Sequence, residues 1–128
     1  MKKVLLDTNF LLLPVQFKLD IFTVIPELLN DRVEFYIVDK TLEELRMLSR
    51  NKGRDGMAAK VALKLLGKFG VKKLKSKGKK ADDAIVDAAK NGYIVATNDV
   101  ELRRRLERIG ITTIFLRGKK RLAVSKEF

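Results

Sequence analysis

The chain contains neither histidine nor cysteine. Their absence excludes Ser-His-Asp and Cys-His nucleophile systems, the usual zinc sites, disulfide cross-links and an imidazole general base. Any catalysis must therefore rest on carboxylates, lysines, hydroxyls or a hard metal ion. No apolar run approaches the roughly 20 residues that span a bilayer, and Met1-Lys2-Lys3 leads into only a short strand-like segment. The expectation is a soluble cytoplasmic protein with no membrane contact. No internal repeat and no linker divides the 128 residues. One domain over residues 1–128 is expected, with a single core and a basic C-terminal tail from about Arg117.

A hydrophobic content of 46% argues against disorder. Against 16 Asp+Glu stand 28 Lys+Arg, a formal net charge of +12. So basic a surface attracts polyanions, of which nucleic acid is the commonest inside cells. The competing account is a merely well-charged surface of the kind found in thermophiles, rich in Lys and Glu and poor in Gln and Cys.

Read in order, Lys3 to Leu6 form a first strand, and the apolar stretch Phe10 to Leu13 is interrupted by Pro14. Apolar residues at Phe17, Ile21, Val24, Ile25, Leu28 and Leu29 recur with an approximate helical period that Pro26 should kink or divide, and this region offers a dimer surface. Val33 to Val38 is a second strand, leading through Asp39-Lys40-Thr41 into a helix from about Leu42 to Leu48. A turn-rich break over Asn51 to Gly56 precedes a helix from Met57 to Phe69, ended by Gly70. Val71 to Leu74 suits a short third strand. Six lysines fall in the nine residues from Lys72 to Lys80.

A helix from about Ala81 to Lys90 follows, then a fourth strand, Tyr93 to Ala96, that ends abruptly in Thr97-Asn98-Asp99. Asn98 with Glu101 fits a helix N-terminal capping box. After Gly110, Thr112 to Leu116 makes a fifth strand, and the tail from Arg117 to Phe128 shows no clear period. Strands alternating with helices imply an α/β protein with a parallel sheet covered on both faces.

Four carboxylates stand out. Asp7 and Asp99 end the first and fourth strands, where an open parallel sheet binds its ligands. In the helix after Thr41, with Leu42, Leu45 and Leu48 buried, Glu43 points roughly 160° from the apolar centre and Glu44 about 100°. Glu44 is the better candidate to reach a cleft. Its alternative is a capping box with Thr41. In the helix from Ala81, Asp82 lies roughly 90° from the apolar face and Asp83 roughly 170°. Asp82 is the one able to look inward, the alternative being simple first-turn dipole complementarity. Carboxylates gathered together raise one another's pKa, so such a cluster usually persists because a cation neutralises it, and oxygen ligands select Mg²⁺ or Mn²⁺.

These residues resemble the PIN-domain nucleases: Leu6-Asp7-Thr8-Asn9, Glu43-Glu44-Leu45, Ala81-Asp82-Asp83-Ala84-Ile85 and Ala96-Thr97-Asn98-Asp99-Val100-Glu101-Leu102 match in order and spacing over essentially the whole chain. The resemblance implies a three-layer α/β/α sandwich with a five-stranded parallel sheet in the order 3-2-1-4-5, placing Asp7 beside Asp99. It also implies that Asp7, Glu44, Asp82 and Asp99 are the catalytic, metal-binding set, supported by Thr8, Asn9, Thr97 and Asn98, with hydrolysis leaving a 5′-phosphate and a 3′-hydroxyl. The stretches Lys77 to Asp83 and Tyr93 to Asp99 are most similar to the branch that cleaves precursor ribosomal RNA. Some eukaryotic members of that branch carry a Cys/His zinc motif, which this chain lacks.

The expected function is thus a Mg²⁺- or Mn²⁺-dependent endoribonuclease acting on precursor ribosomal RNA, with homodimer or ribosome-assembly partners. Lys75, Lys77, Lys79, Lys80, Arg103 and Arg104, with the Arg117 to Arg121 cluster, would hold the RNA backbone, or else form only a solvated surface. Rival readings are a non-catalytic RNA-binding scaffold, a toxin-type ribonuclease of the same fold, and a phospho-acceptor receiver domain. The last lacks a convincing acidic pair after the first strand.

Overall fold

The computed structural model of the chain describes residues 1–126. Within these, six strands form one sheet: β1 (Lys2–Leu6), β2 (Val33–Val38), β3 (Lys72–Leu74), β4 (Ile94–Ala96), β5 (Thr113–Arg117) and β6 (Arg121–Val124). Their order is β3-β2-β1-β4-β5-β6, with the first five parallel and β6 antiparallel to β5. The parallel core thus has the expected 3-2-1-4-5 order, and the sheet gains a sixth strand. The supposed tail folds back because Gly118, at φ +75°, takes the left-handed backbone a tight hairpin needs. Leu122 then buries its side chain against the edge of the core.

Among the described residues seven helices cover the sheet: α1 (Thr8–Leu11), α2 (Leu13–Gln16), α3 (Ile21–Leu29), α4 (Asp39–Leu48), α5 (Arg54–Lys68), α6 (Ala81–Ala89) and α7 (Val100–Arg108). Alternation along β1 sorts the core into two layers. Val4 and Leu6 pack with Phe10, Phe22, Ile25, Leu45 and Ala59, whereas Leu5 packs with Ile85, Val95, Leu102 and Leu106. Helices α1 to α5 therefore lie on one face and α6 and α7 on the other, a three-layer arrangement. Val4, Leu5 and Leu6 are all fully buried, as expected of a central strand covered on both sides.

Several boundaries differ from the sequence reading. Helix α3 runs undivided through Pro26, since Ile21, Phe22, Ile25 and Leu29 hold one face against the core. Helix α5 starts at Arg54, three residues before the expected Met57, and takes in the expected turn glycine Gly56. A Cβ on Gly56 would collide with the Asn51 carbonyl, so this glycine serves close backbone approach and not a turn. Helix α4 begins at Asp39 with no side-chain cap, and Thr41 lies inside its first turn. A cap contributes about 1 kcal/mol, whereas burying one leucine such as the fully buried Leu45 contributes about 1.5–3 kcal/mol. Packing set this boundary, and Glu44 is no partner in a Thr41 capping box.

No helix among the described residues is long and apolar enough to cross a membrane.

Candidate active site

The register of β1 on β4 pairs Leu6 with Ala96, so the residues that follow each strand emerge side by side. The Asp7 amide donates to the Ala96 carbonyl at 3.0 Å, extending the ladder by one step. Asp7 is buried, 6% exposed, at the N-cap of α1, where its Oδ1 accepts from the Thr8 amide at 2.8 Å. Its Oδ2 accepts from the fully buried Thr97 hydroxyl at 2.8 Å. That hydroxyl also accepts from the Asp99 amide at 3.1 Å. One threonine therefore links both strand-end acids.

Asp99, and not Asn98, caps α7. Its Oδ1 accepts from the amides of Glu101 and Leu102 at 3.0 and 3.2 Å. The helix starts one residue later than a Asn98–Glu101 box requires, because the Asn98 side chain is employed elsewhere: its Oδ1 accepts from the Leu116 amide on β5 at 2.9 Å. Asn98 thus ties the β4 end to the neighbouring strand.

Glu44 comes from α4 and Asp82 from the first turn of α6, on opposite sides of the sheet's carboxyl edge. Burial pushes the Asp7 carboxyl above its ordinary value, with repulsion from Asp82 and Asp99 adding to it and the Thr97 and Thr8 hydrogen bonds opposing it. Partial burial likewise raises Glu44, reinforced by Asp7 and then Asp82. For Asp82 partial burial leads again, followed by the Asp99 charge, with Arg105 opposing. The four acids, separated by as many as 92 positions in the chain, share one electrostatic environment. Their neighbours pair with cations instead, Glu43 with Lys40 at 3.3 Å and Asp83 with Arg105 at 2.7 Å, although Asp83 is half-buried where Asp82 is exposed, against the helical-phase expectation.

Four carboxylates and no nitrogen or sulfur donor form a ligand set suited to a hard divalent ion. Beside them the buried Thr8 hydroxyl lacks a hydrogen-bond partner of full geometry and favours the charged form of Glu44. Among the described residues no three acids stand close enough together, as placed, to hold a metal ion. Asp7 is fixed by two hydrogen bonds, whereas Glu44 and Asp82 are exposed and their side chains can swing. The donor chemistry of the four acids suits such an ion, and their present spacing does not yet form its cage.

The lysine-rich loop has defined geometry. Ser76, buried, donates its amide to Asp39 Oδ1 at 3.1 Å and accepts from the Lys79 amide at 3.1 Å. Between them Lys77 and Gly78 both have positive φ, the signature of a type I′ turn. Lys75, Lys77, Lys79 and Lys80 are all exposed around it, Lys79 meeting Asp87 at 3.3 Å. Asp39 went unweighed in the sequence, although it follows β2 directly, the same strand-end position as Asp7 and Thr97. Arg104 is exposed. Arg103 is held: its Nε donates to Glu107 at 2.8 Å and its guanidinium lies 3.6 Å from the Phe115 ring centre. Exposed Asn9 lies on the same side, two residues beyond Asp7.

Residues 4–119 match the family described as a PIN like domain. The chain is 34% identical over 125 residues to Ribonuclease VapC4 of Methanocaldococcus jannaschii, covering 94% of each sequence. It is 35% identical over 111 residues to the rRNA-processing protein FCF1 of Saccharomyces cerevisiae, covering 84% of this chain and 55% of that protein. Among solved structures, the PIN domain endonuclease Utp24 superposes with a TM-score of 0.80 at 30% identity, over 96% of this chain and 90% of that one.

Proposed function

The chain belongs to the PIN-like domain family, and on that basis we propose that it is a metal-dependent endoribonuclease of the cytoplasm that hydrolyses phosphodiester bonds in precursor ribosomal RNA. The observation that supports this reading most is the convergence of Asp7, Glu44, Asp82 and Asp99 on one carboxyl edge, each of the first three raised by burial and by the charge of others in the set.

These four acids would hold one or two Mg²⁺ or Mn²⁺ ions, which when bound supply charge neutralisation at the scissile phosphate and acidify a coordinated water. The chain's own contribution is placement. Thr97 and the Thr8 amide fix the orientation of Asp7, while the α7 amides fix Asp99. Thr8 supports Asp7 through its amide and Asn98 the end of β4 by its tie to β5, and the exposed Asn9 would add a polar group beside them. Lys75, Lys77, Lys79 and Lys80 present cations on a turn anchored by Asp39, suited to phosphates flanking the cleaved bond. Arg104 extends the basic surface.

A purified sample incubated with structured RNA and Mn²⁺ tests the reading. Expected are discrete fragments with 5′-phosphate and 3′-hydroxyl ends, formed with Mn²⁺ and absent with chelator. RNA bound tightly but left intact in Mn²⁺ would establish the non-catalytic scaffold instead.

The match to Ribonuclease VapC4 over 94% of both sequences favours a second reading, a toxin-type ribonuclease. A neighbouring antitoxin reading frame and growth arrest on expression distinguish it from an RNA-processing enzyme, whose cleavage is confined to ribosomal RNA precursors.

A further inference from the structure

A cavity of about 370 Å³ opens beside the acidic edge, lined by Asn9, Gln16, Phe17, Asn98, Arg103 and Phe115 over a floor of leucines. Asn9 and Asn98 stand two residues and one residue from Asp7 and Asp99, so the cavity adjoins the carboxylates. Its size lies at the small end of the range for ligand sites, and its composition is the usual one of apolar walls with a few convergent polar groups.

Those polar groups are weighted toward donation. Arg103 spends its Nε on Glu107, and Glu107 Oε2 accepts at the same time from the Thr113 hydroxyl at 2.8 Å. With Phe115 beneath it, the guanidinium is fixed from one edge and one face, leaving its two Nη groups as an end-on pair of donors. Asn98 spends its Oδ1 on the Leu116 amide, so its Nδ2 remains as a donor. The Asn9 and Gln16 amides can turn either end inward. An ordered arginine fork is the usual reader of the two adjacent acceptors O6 and N7 of guanine. Phe17 and the leucines supply the contact for the faces of a base that has left its stack.

We propose that this cavity receives one unpaired guanine of the RNA strand and thereby sets where, relative to that base, the strand crosses the acidic edge. The inference rests on the ribonuclease reading for the identity of the ligand, and it makes Arg103 a base-reading residue where the sequence suggested only a phosphate contact. A polyphosphate or a peptide side chain fits less well: phosphate has no use for the apolar walls, and an aliphatic side chain leaves the donors unpaired.

The test is binding of a uridine-rich single-stranded RNA carrying one guanine to the full chain in chelator, where no cleavage intervenes. The same strand with 7-deazaguanine or adenine in that place serves as comparison. The guanine strand is expected to bind about tenfold more tightly than either, and Arg103→Lys is expected to erase the difference. Gln16→Ala, on the short helix α2 and remote from the Glu107 network, is expected to weaken the preference without disturbing the fold. Equal affinity for all three strands overturns the inference. Cleavage in Mn²⁺ with no guanine at a fixed distance from the cut also overturns it while leaving the ribonuclease reading intact. Guanine-dependent binding by a chain that never cleaves upholds the cavity and removes the nuclease.

Discussion

The Thr97 hydroxyl donates to Asp7 Oδ2 at 2.8 Å while accepting from the Asp99 amide at 3.1 Å, across the boundary between β1 and β4. Thr97 is fully exposed to neither solvent nor ligand: it is wholly buried, so nothing else can replace these bonds. Thr97→Val keeps the shape and deletes both. Leaving the buried Asp7 carboxylate and the part-buried Asp99 amide each short of a partner is expected to cost about 1–3 kcal/mol in urea unfolding. Asp7, deprived of a donor that favours its charged form, should titrate still higher, so the acid limb of the pH–cleavage profile should move up. Thr97→Ser, which restores the hydroxyl, should recover the profile. An unmoved profile in Thr97→Val would show that Thr97 serves the fold alone.

Asp7→Asn preserves volume and removes the charge. Its Oδ1 can still accept from the Thr8 amide, so the N-cap of α1 survives. Cleavage should fall below detection while RNA affinity in chelator changes less than about threefold, since one charge among a net +12 alters the field little. Metal-dependent cleavage retained by this variant would remove Asp7 from the proposed site.

Stability should respond to pH with two opposing contributions. Asp7, Glu44 and Asp82 have folded values raised above their unfolded ones, so the folded state binds more protons and stability falls as pH rises through the carboxylate range. Asp39 has a folded value lowered mainly by its hydrogen bonding with Ser76; its contribution is present above the unfolded value and lost as pH falls through the folded one. Melting curves in chelator separate them. Asp82→Asn should flatten the loss on the alkaline side, and Asp39→Asn the loss on the acid side. Addition of Mn²⁺ to the parent chain should raise Tm at neutral pH, and Asp82→Asn should reduce that rise, because a ligand stabilises in proportion to its affinity for the folded state. A Tm indifferent to Mn²⁺ would count against the divalent ion.

The parallel core was legible because its strands are short apolar runs bounded by Asp, Asn, Thr and Gly, and local composition decides such segments. Helical phase favoured Glu44 over Glu43 and Asp82 over Asp83, yet Glu43 and Glu44 are both exposed and Asp83 is the more buried of its pair, because the Arg105 side chain of α7 lies against it. What stayed hidden depended on contacts between distant segments. Asn98 looked like a cap until Leu116, eighteen residues on, supplied its hydrogen bond. The strand Arg121–Val124 had no period to reveal, since its partner β5 and not its own pattern holds it in the sheet. The cavity beside the acids is built from α1, α2, α7 and β5, and no window of sequence contains it.

The loop from Lys75 to Lys80 gives the last prediction. Lysines on a flexible segment would give up conformational freedom on meeting RNA, whereas these sit on a turn already fixed by Ser76, Asp39 and two left-handed residues. Each phosphate they neutralise releases counter-ions, and the logarithm of affinity should fall with that of salt by about 0.7 per contact on a single strand. Replacing Lys75, Lys77, Lys79 and Lys80 by Gln should lower that slope by as many contacts as are lost. Lys79, which already faces Asp87, should contribute least of the four. Asp39→Ala leaves every lysine in place but frees the turn, so it should weaken RNA binding with the slope unchanged. A slope that is the same in the quadruple variant as in the parent would take the loop out of the RNA interface, and the attraction would then have to come from the arginines of α7 and the hairpin between β5 and β6.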